Sequence, residues 1–440
     1  MGAIGGLIER NFATEHGELV IEGVPVSRLA ARHGTPAFFY SRRVIEQQLR
    51  RLRRALPAGF HVCYSIKANP NRALLELFLS QGCGLEIASA GEFHQALAAG
   101  ASASDVIFAG PGKTESELEL VLKSGIGEIH AESELEIRRI ADISRRLGCR
   151  ARVAIRVNPG AEAQGGAMRM GGKPLPFGVD EERLADVVGI LRGEPALEFR
   201  GIHLFAGTQI LEADVLVSQY RTALDIACRA ADLAGQAVKT VDFGGGLGIP
   251  YFENDRELDL EALRTGLTDL LAEYSKDPRL AGTRFVVEPG RFLVGESGVY
   301  VTRVTDIKVS RGKKFLIVDG GMHHHLAASG NLGQTIKRNY PLALGNRLDT
   351  PLGDPVEVAG PLCTPLDVLG RAVRLPQAEV GDLLVVFQSG AYARAASPLN
   401  FLSHPTPPEV LVDGGQDTVV RARGDATDYA LDPALTQLRG

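Results

Sequence analysis

Cysteine is scarce in this chain. Five occur in 440 residues (Cys63, Cys83, Cys149, Cys228 and Cys363), an odd, dispersed set without a CxxC pair. That excludes a disulfide framework and a paired-cysteine zinc site, and it fits a reducing, cytoplasmic setting. Basic residues fall short of what a nucleic-acid binder needs: 48 Lys and Arg face 53 Asp and Glu, the formal charge is −5, and no basic cluster interrupts the balance. No apolar run approaches the length of a membrane span. The opening MGAIGGLIERNF has neither a cationic start nor a long apolar centre, so no signal peptide is expected. What remains is a globular composition, 45% apolar and 23% charged, spread over more residues than one ordinary core accommodates. Two domains are expected.

Eight strand-like apolar runs alternate with helical patterns, at 62–66, 85–88, 106–108, 128–131, 151–157, 201–205, 240–243 and 285–288. That alternation predicts an α/β fold, a parallel (β/α)8 barrel over residues 36–290. After Gly298 the texture changes to short β-branched runs such as VYVTRVTDIKVS, KKFLIVDGG and GDLLVVFQSGAY, parted by Gly, Pro and Asp. Residues 291–440 are therefore expected to form an all-β domain, with residues 1–35 joining it. One long glycine-rich insertion, 160–178, interrupts the barrel half, and its cations Arg169 and Lys173 would suit an acidic partner.

Within FHVCYSIKANPN (60–71) an apolar run stops on Lys67, placing one lysine at a strand tip, where such barrels keep their chemistry. In an apolar socket its amine would gain the nucleophilicity that Schiff-base formation requires; the alternative is a strand-end lysine reaching for solvent. DFGGGLG (242–248) follows another strand. Gly244, Gly245 and Gly246 would let backbone N–H groups approach a phosphate, or simply make a tight turn. EPGR closes the last run, and Glu288 there needs a partner, either Arg291 or a ring N–H. Three consecutive histidines, His323, His324 and His325, invite a metal reading. In an extended segment only His323 and His325 share a face, and no further ligand stands at suitable spacing, so a polar loop beside the site, without metal, is expected.

Taken with Gly360-Pro361-Leu362-Cys363 and Gly390-Ala391-Tyr392, these motifs come in the order of one enzyme group. The chain resembles the fold-type III pyridoxal-phosphate decarboxylases, the ornithine and diaminopimelate decarboxylase group, from about residue 36 to 412. The resemblance implies pyridoxal 5'-phosphate as cofactor and a homodimer with shared active sites. It implies that Lys67 holds the cofactor, that Gly244, Gly245, Gly246 and the amide of Gly290 or Arg291 bind its phosphate, and that Glu288 keeps its ring nitrogen protonated. Glu86, where the family usually has aspartate, and Arg156 would lie near the ring. Cys363 would be the general acid, reaching the neighbouring subunit's site together with Tyr392.

The departures are informative. Phe205 stands where the family has a ring-stacking histidine, a swap that keeps an aromatic face. Thr364 follows the acid cysteine where relatives carry Glu or Asp, and the Arg and Tyr usual after the Asp-Gly-Gly-Met turn are replaced by the stretch containing Ala327 and Ala328. The substrate contacts implied are Arg291, Cys363, Thr364 and Tyr392, and with Thr364 in place of an acid the distal charges of a free zwitterionic tail would be left unpaired. AMRMGGKPLPFGVD, VDGGMHHHLAASG, GPLCTPLD and SPLNFLSHPTP resemble a narrower subgroup, the butirosin-type glutamyl-acyl-carrier-protein decarboxylases and the exosortase-associated decarboxylases. The expected substrate is accordingly an amino acid carried on an acyl carrier protein, with free diaminopimelate, or a non-catalytic cofactor-binding role, as alternatives.

Overall fold

The computed structural model describes residues 3–160, 168–169, 174–205, 207–334 and 336–431. It divides into two compact units, one of Gln48–Pro250 and Arg256–Leu293, the other of Met1–Gln47, Tyr251–Asp255 and Val294–Gly440.

The first unit is a closed parallel barrel of eight strands: β1 (Phe60–Ser65), β2 (Gly84–Ile87), β3 (Val106–Phe108), β4 (Glu128–Ala131), β5 (Ala151–Asn158), β6 (Leu197–Leu204), β7 (Thr240–Asp242) and β8 (Arg284–Val287). Each pairs with the next, and β8 pairs with β1 to close the ring. The crossover helices begin just past the strand tips and carry their own caps. Asn71, Ser89, Thr114, Ser133 and Asp259 each accept from a first-turn amide, which satisfies donors that the helix cannot.

Inside the barrel, Cys63, Ile107 and Val286 make a small apolar layer. Two residues further along, the positions after Cys63 and Val286 turn polar, as Ser65 and Glu288, in keeping with the period of a strand. Strand β6 carries the one device that re-phases this pattern. Its pairing with β5 slips between Phe199 and Gly201, so Arg200 is an extra residue in a bulge. Gly201 has φ +152, and a Cβ there would stand 1.8 Å from the Thr240 carbonyl oxygen.

The second unit is built on the 13-residue strand Gly298–Ser310, which pairs with Lys313–Val318, Leu383–Val386 and Ala37–Ser41. Ala37–Ser41 also pairs in parallel with Glu409–Asp413, and all five of its residues are buried. The sequence reading starts the barrel near residue 36, whereas this AFFYS segment is an interior strand of the β sheet. Flanked by strands on both edges and covered on both faces, it is apolar throughout for a reason unrelated to the barrel. Val26–His33 and Ala3–Asn11 are helices of this unit. Leu7, Leu19, Ile21, Leu29, Phe39, Val299 and Val385 share the unit's core. The five cysteines are free, and among the described residues no helix is long and apolar enough to cross a membrane.

Candidate active site

The C-terminal rim of the barrel gathers the residues singled out in that half of the sequence. Lys67 lies in the short turn Ile66–Ala68 that leaves β1. It does not occupy an apolar socket: its side chain is 50% exposed, and Nζ stands 3.2 and 3.3 Å from the two carboxyl oxygens of Glu86. The run ends in a turn rather than continuing inward, so the lysine meets a buried acid on the next strand. Glu86 is 1% exposed and also accepts from the Ser65 hydroxyl. Burial pushes its carboxyl up, but Lys67 and Ser65 outweigh burial and hold it below the usual range.

Arg156, on β5, is an inward-facing cation fixed by Glu132 at 2.9 Å. Glu132 also accepts from the amides of Gly110 (2.8 Å) and Gly178 (3.0 Å), tying three rim loops together. The Arg156 guanidinium lies 5.1 Å from the Phe177 ring centre and 5.9 Å from that of Phe205. Phe205 in turn covers Gly244, where an added Cβ would come within 2.9 Å of its ring.

The glycine loop is as close-packed as a cradle requires. Gly244 and Gly246 have φ +66 and +92, and a Cβ on Gly245 would stand 2.6 Å from the Glu288 carbonyl oxygen. Gly244 is already committed. Its N–H donates to Asp242 Oδ1 at 2.8 Å, and its carbonyl accepts from the Glu288 N–H, also at 2.8 Å. A phosphate would therefore find the amides further along this loop. Gly290 brings the turn after β8 against the Lys67 turn, since a Cβ there would meet that of Ala68 at 2.8 Å. Arg291 follows it.

Beneath the rim lies a polar layer that sequence reasoning missed. Glu288 Oε2 stands 3.5 Å from His203 Nε2, and Oε1 stands 3.9 Å from His130 Nδ1. Asp242 and Glu128 complete the layer, and all five residues are buried. Burial, then the charges of Asp242 and Glu86, push the Glu288 carboxyl well up. Burial, then His130, push the His203 imidazole well down, leaving it neutral. A signal was present: Glu128 and His130 alternate within a strand expected to be wholly apolar, and so must share one face.

A ring nitrogen fits this floor. Glu288 Oε1 and both His203 ring nitrogens are buried without a hydrogen-bond partner, which is costly unless something is received there. Lys67, Glu86, Arg156, Phe205, Gly244, Gly245, Gly246, Glu288, Gly290 and Arg291 thus share one rim. Cys363, Thr364 and Tyr392 belong to the β unit. Cys363 is exposed, not a buried apolar filler, and lies in a loop fastened by Asp367. Asp367 accepts from the amides of Met322 (2.6 Å) and Leu362 (2.9 Å). Tyr392 is half-buried with φ +52.

The histidine triplet departs from its expectation. His323, His324 and His325 form a tight turn rather than an extended segment, and all three are buried in the β unit instead of lining a solvated loop. His324 bonds the Tyr300 hydroxyl and the Pro405 carbonyl, and His325 bonds Ser389. The Arg169 side chain and Lys173, in the 160–178 insertion, lie outside the described residues.

Comparison with known proteins gives a consistent picture. A family model described as pyridoxal-dependent decarboxylase, pyridoxal binding domain, matches residues 42–295. The L-glutamyl-[BtrI acyl-carrier protein] decarboxylase of Niallia circulans is 40% identical over 420 residues, covering 95% of this chain and 98% of that one. A diaminopimelate decarboxylase of Aquifex aeolicus is 33% identical over 423 residues, covering 95% and 96%. Among solved structures, the diaminopimelate decarboxylase of M. jannaschii in complex with L-lysine superposes with a TM-score of 0.89 at 25% identity, covering 97% and 99%.

Proposed function

The chain belongs to the pyridoxal-dependent decarboxylases, and from that premise we propose that it removes the α-carboxylate of an amino acid presented as an acyl-carrier thioester. The observation that carries the substrate class is the neutral loop after Cys363. Thr364, Pro365 and Leu366 offer no charge to a distal amine, and the turn after Met322 continues into buried, uncharged Ala327 and Ala328. A free zwitterionic tail there would be desolvated without a partner. A thioester has no such charge to satisfy, and the 40% identity to a decarboxylase named for a carrier-bound glutamyl substrate points the same way.

When bound, pyridoxal phosphate supplies a conjugated ring that takes up the electron pair left by the departing carboxylate. In this proposal Lys67 holds the cofactor and Glu86 orients the lysine. Gly245 and Gly246, with Gly244 braced by Asp242 and with Gly290 or Arg291, receive the phosphate. Phe205 and Arg156 would flank the cofactor, and Glu288 would hold the proton at its ring nitrogen. Cys363 delivers a proton to the substrate carbon and Tyr392 closes the site, both from a second copy of the chain in a homodimer. The free cysteines suit a cytoplasmic enzyme.

Carbon dioxide release tests the substrate class. Free amino acids and the same amino acids loaded on an acyl carrier are offered side by side. The thioester series should turn over at least tenfold faster. Comparable or faster release from free diaminopimelate would overturn the carrier assignment while leaving the decarboxylase intact.

A further inference from the structure

Glu86, Glu128, Asp242 and Glu288 are buried carboxyl groups around this layer, and three of them have their own support. Glu86 has Lys67 and Ser65. Glu128 has Arg200 at 3.4 Å and the Thr240 hydroxyl at 2.8 Å, and Asp242 has the Gly244 amide. Glu288 has no Lys or Arg in contact with it among the described residues: it shares a hydrogen bond with Asp242, which opposes its charge, Lys67 favours that charge only through space, and of the two imidazoles beside it His203 is neutral. The other, His130, is unusually placed. Its Nε2 bonds Glu128 at 3.2 Å and stands 3.9 Å from Asp242, while Nδ1 faces Glu288 at 3.9 Å, so one ring meets three carboxyls from three strands. The His203 ring lies 4.6 Å away, and the His130 carbonyl is held by Lys113, itself paired with Glu136. Arg156 is engaged with Glu132, and its charge reaches this cluster only through space, where it disfavours the charged form of His203.

We propose that His130 is a positioning residue: as an imidazolium bridging Glu128, Asp242 and Glu288, it supplies the charge that lets Glu288 ionise opposite the cofactor's ring nitrogen. The inference rests on Glu288 being the ring partner. In the empty cluster Glu288 holds an acid proton because burial and Asp242 disfavour its charge. When a basic ring nitrogen arrives, that proton leaves the Glu288 oxygen and forms the ring N–H bond, so no proton is gained or lost. The carboxylate left behind then sits among Asp242 and Glu128, and the imidazolium keeps that state accessible. Without it the proton stays on Glu288 and the ring remains neutral, a poorer electron sink.

The test uses holoenzyme loaded with pyridoxal phosphate carrying ¹⁵N in the ring, whose chemical shift reports ring protonation independently of turnover. At pH 7, His130→Asn should lower the ratio of protonated to neutral nitrogen at least tenfold. His130→Asn combined with Glu128→Gln should recover most of it, because a buried negative charge leaves together with the positive one. An unchanged shift in His130→Asn, or a double variant no better than the single, would overturn the proposal, since a residue that only fills space is not rescued by charge balance. Glu288→Gln separates the two levels: if it leaves the shift untouched, Glu288 is not the ring partner and the underlying assignment falls. Should His130→Asn fail to retain cofactor, infrared spectra of the cofactor-free proteins decide. The carboxylic-acid band that Glu288→Gln removes must persist to higher pH in His130→Asn than in the unaltered chain, and an unshifted band would also overturn the proposal.

Discussion

At the scale of single residues, the site depends on pairs that strand tips bring together. Lys67 and Glu86 are 19 positions apart but occupy adjacent tips, and the buried acid fixes where the amine points. Replacing Lys67 with Ala should abolish the borohydride-trappable adduct, read by mass spectrometry of the reduced protein. An adduct retained at another lysine would refute the role of Lys67. Glu288→Gln should lower kcat by about 10²-fold or more while weakening cofactor affinity by less than about tenfold, because phosphate and lysine contacts dominate binding whereas ring protonation acts on the chemical step. Equal losses in both quantities would count against it. Lys67, Glu288 and the glycines were legible because strand ends and glycine runs mark themselves in a sequence. His203 was not, and His130 showed only through its alternation with Glu128, since a polar residue inside an apolar run reveals its partners only once the barrel has closed.

Loops and turns of the β unit carry the next layer. The His323, His324 and His325 turn was misread because an extended backbone was assumed. Folded, it buries three imidazoles, with His323 and His324 ring centres 3.6 Å apart. Burial pushes His323 down to about 4, His325 to about 3, and His324, also opposed by His323, to about 2. An unfolded histidine near 6.5 binds the proton that the folded one refuses. Each therefore contributes stability that is complete above pH 6.5 and is lost as pH falls toward its own folded value, about 4 for His323, 3 for His325 and 2 for His324, at up to about 1.4 kcal/mol per pH unit. Neither His323 ring nitrogen has a hydrogen-bond partner. His323→Asn should accordingly flatten the pH dependence of the urea midpoint between pH 6.5 and about 4 by one proton's worth, and an unaltered slope would show that His323 is charged in the fold. Asp367 makes a different prediction. It grips the amides of Met322 and Leu362 at once, with Gly321 and Gly360 packed on its carboxyl. Asn offers one acceptor where two are needed, so Asp367→Asn should cost about 1–3 kcal/mol in urea unfolding and loosen the Cys363 loop. A midpoint shift near zero would mean that the amide oxygen alone suffices.

For the whole molecule, the eight-fold alternation made the barrel readable from end to end. The division of the chain was less visible, because Ala37–Ser41 and Tyr251–Asp255 are contributed to the β unit from inside stretches that otherwise look like barrel. If Cys363 and Tyr392 act on a second copy, mixing inactive Lys67→Ala with inactive Cys363→Ala protein should restore up to about a quarter of the activity after subunit exchange, since half the dimers are hybrid and each holds one intact site. No recovery would place both residues in one chain's site. The bulge at Arg200 and Gly201 bears on how the fold tolerates change. It sets the phase of β6, so it decides that His203 and Phe205 face the lumen while Arg200 reaches Glu128. Deleting one residue there would turn the whole strand inside out, exchanging lumen-facing for helix-facing side chains. Any side chain at 201 would collide with the backbone of β7. Saturation mutagenesis at 201 should therefore return glycine alone, so this single kink tolerates no replacement.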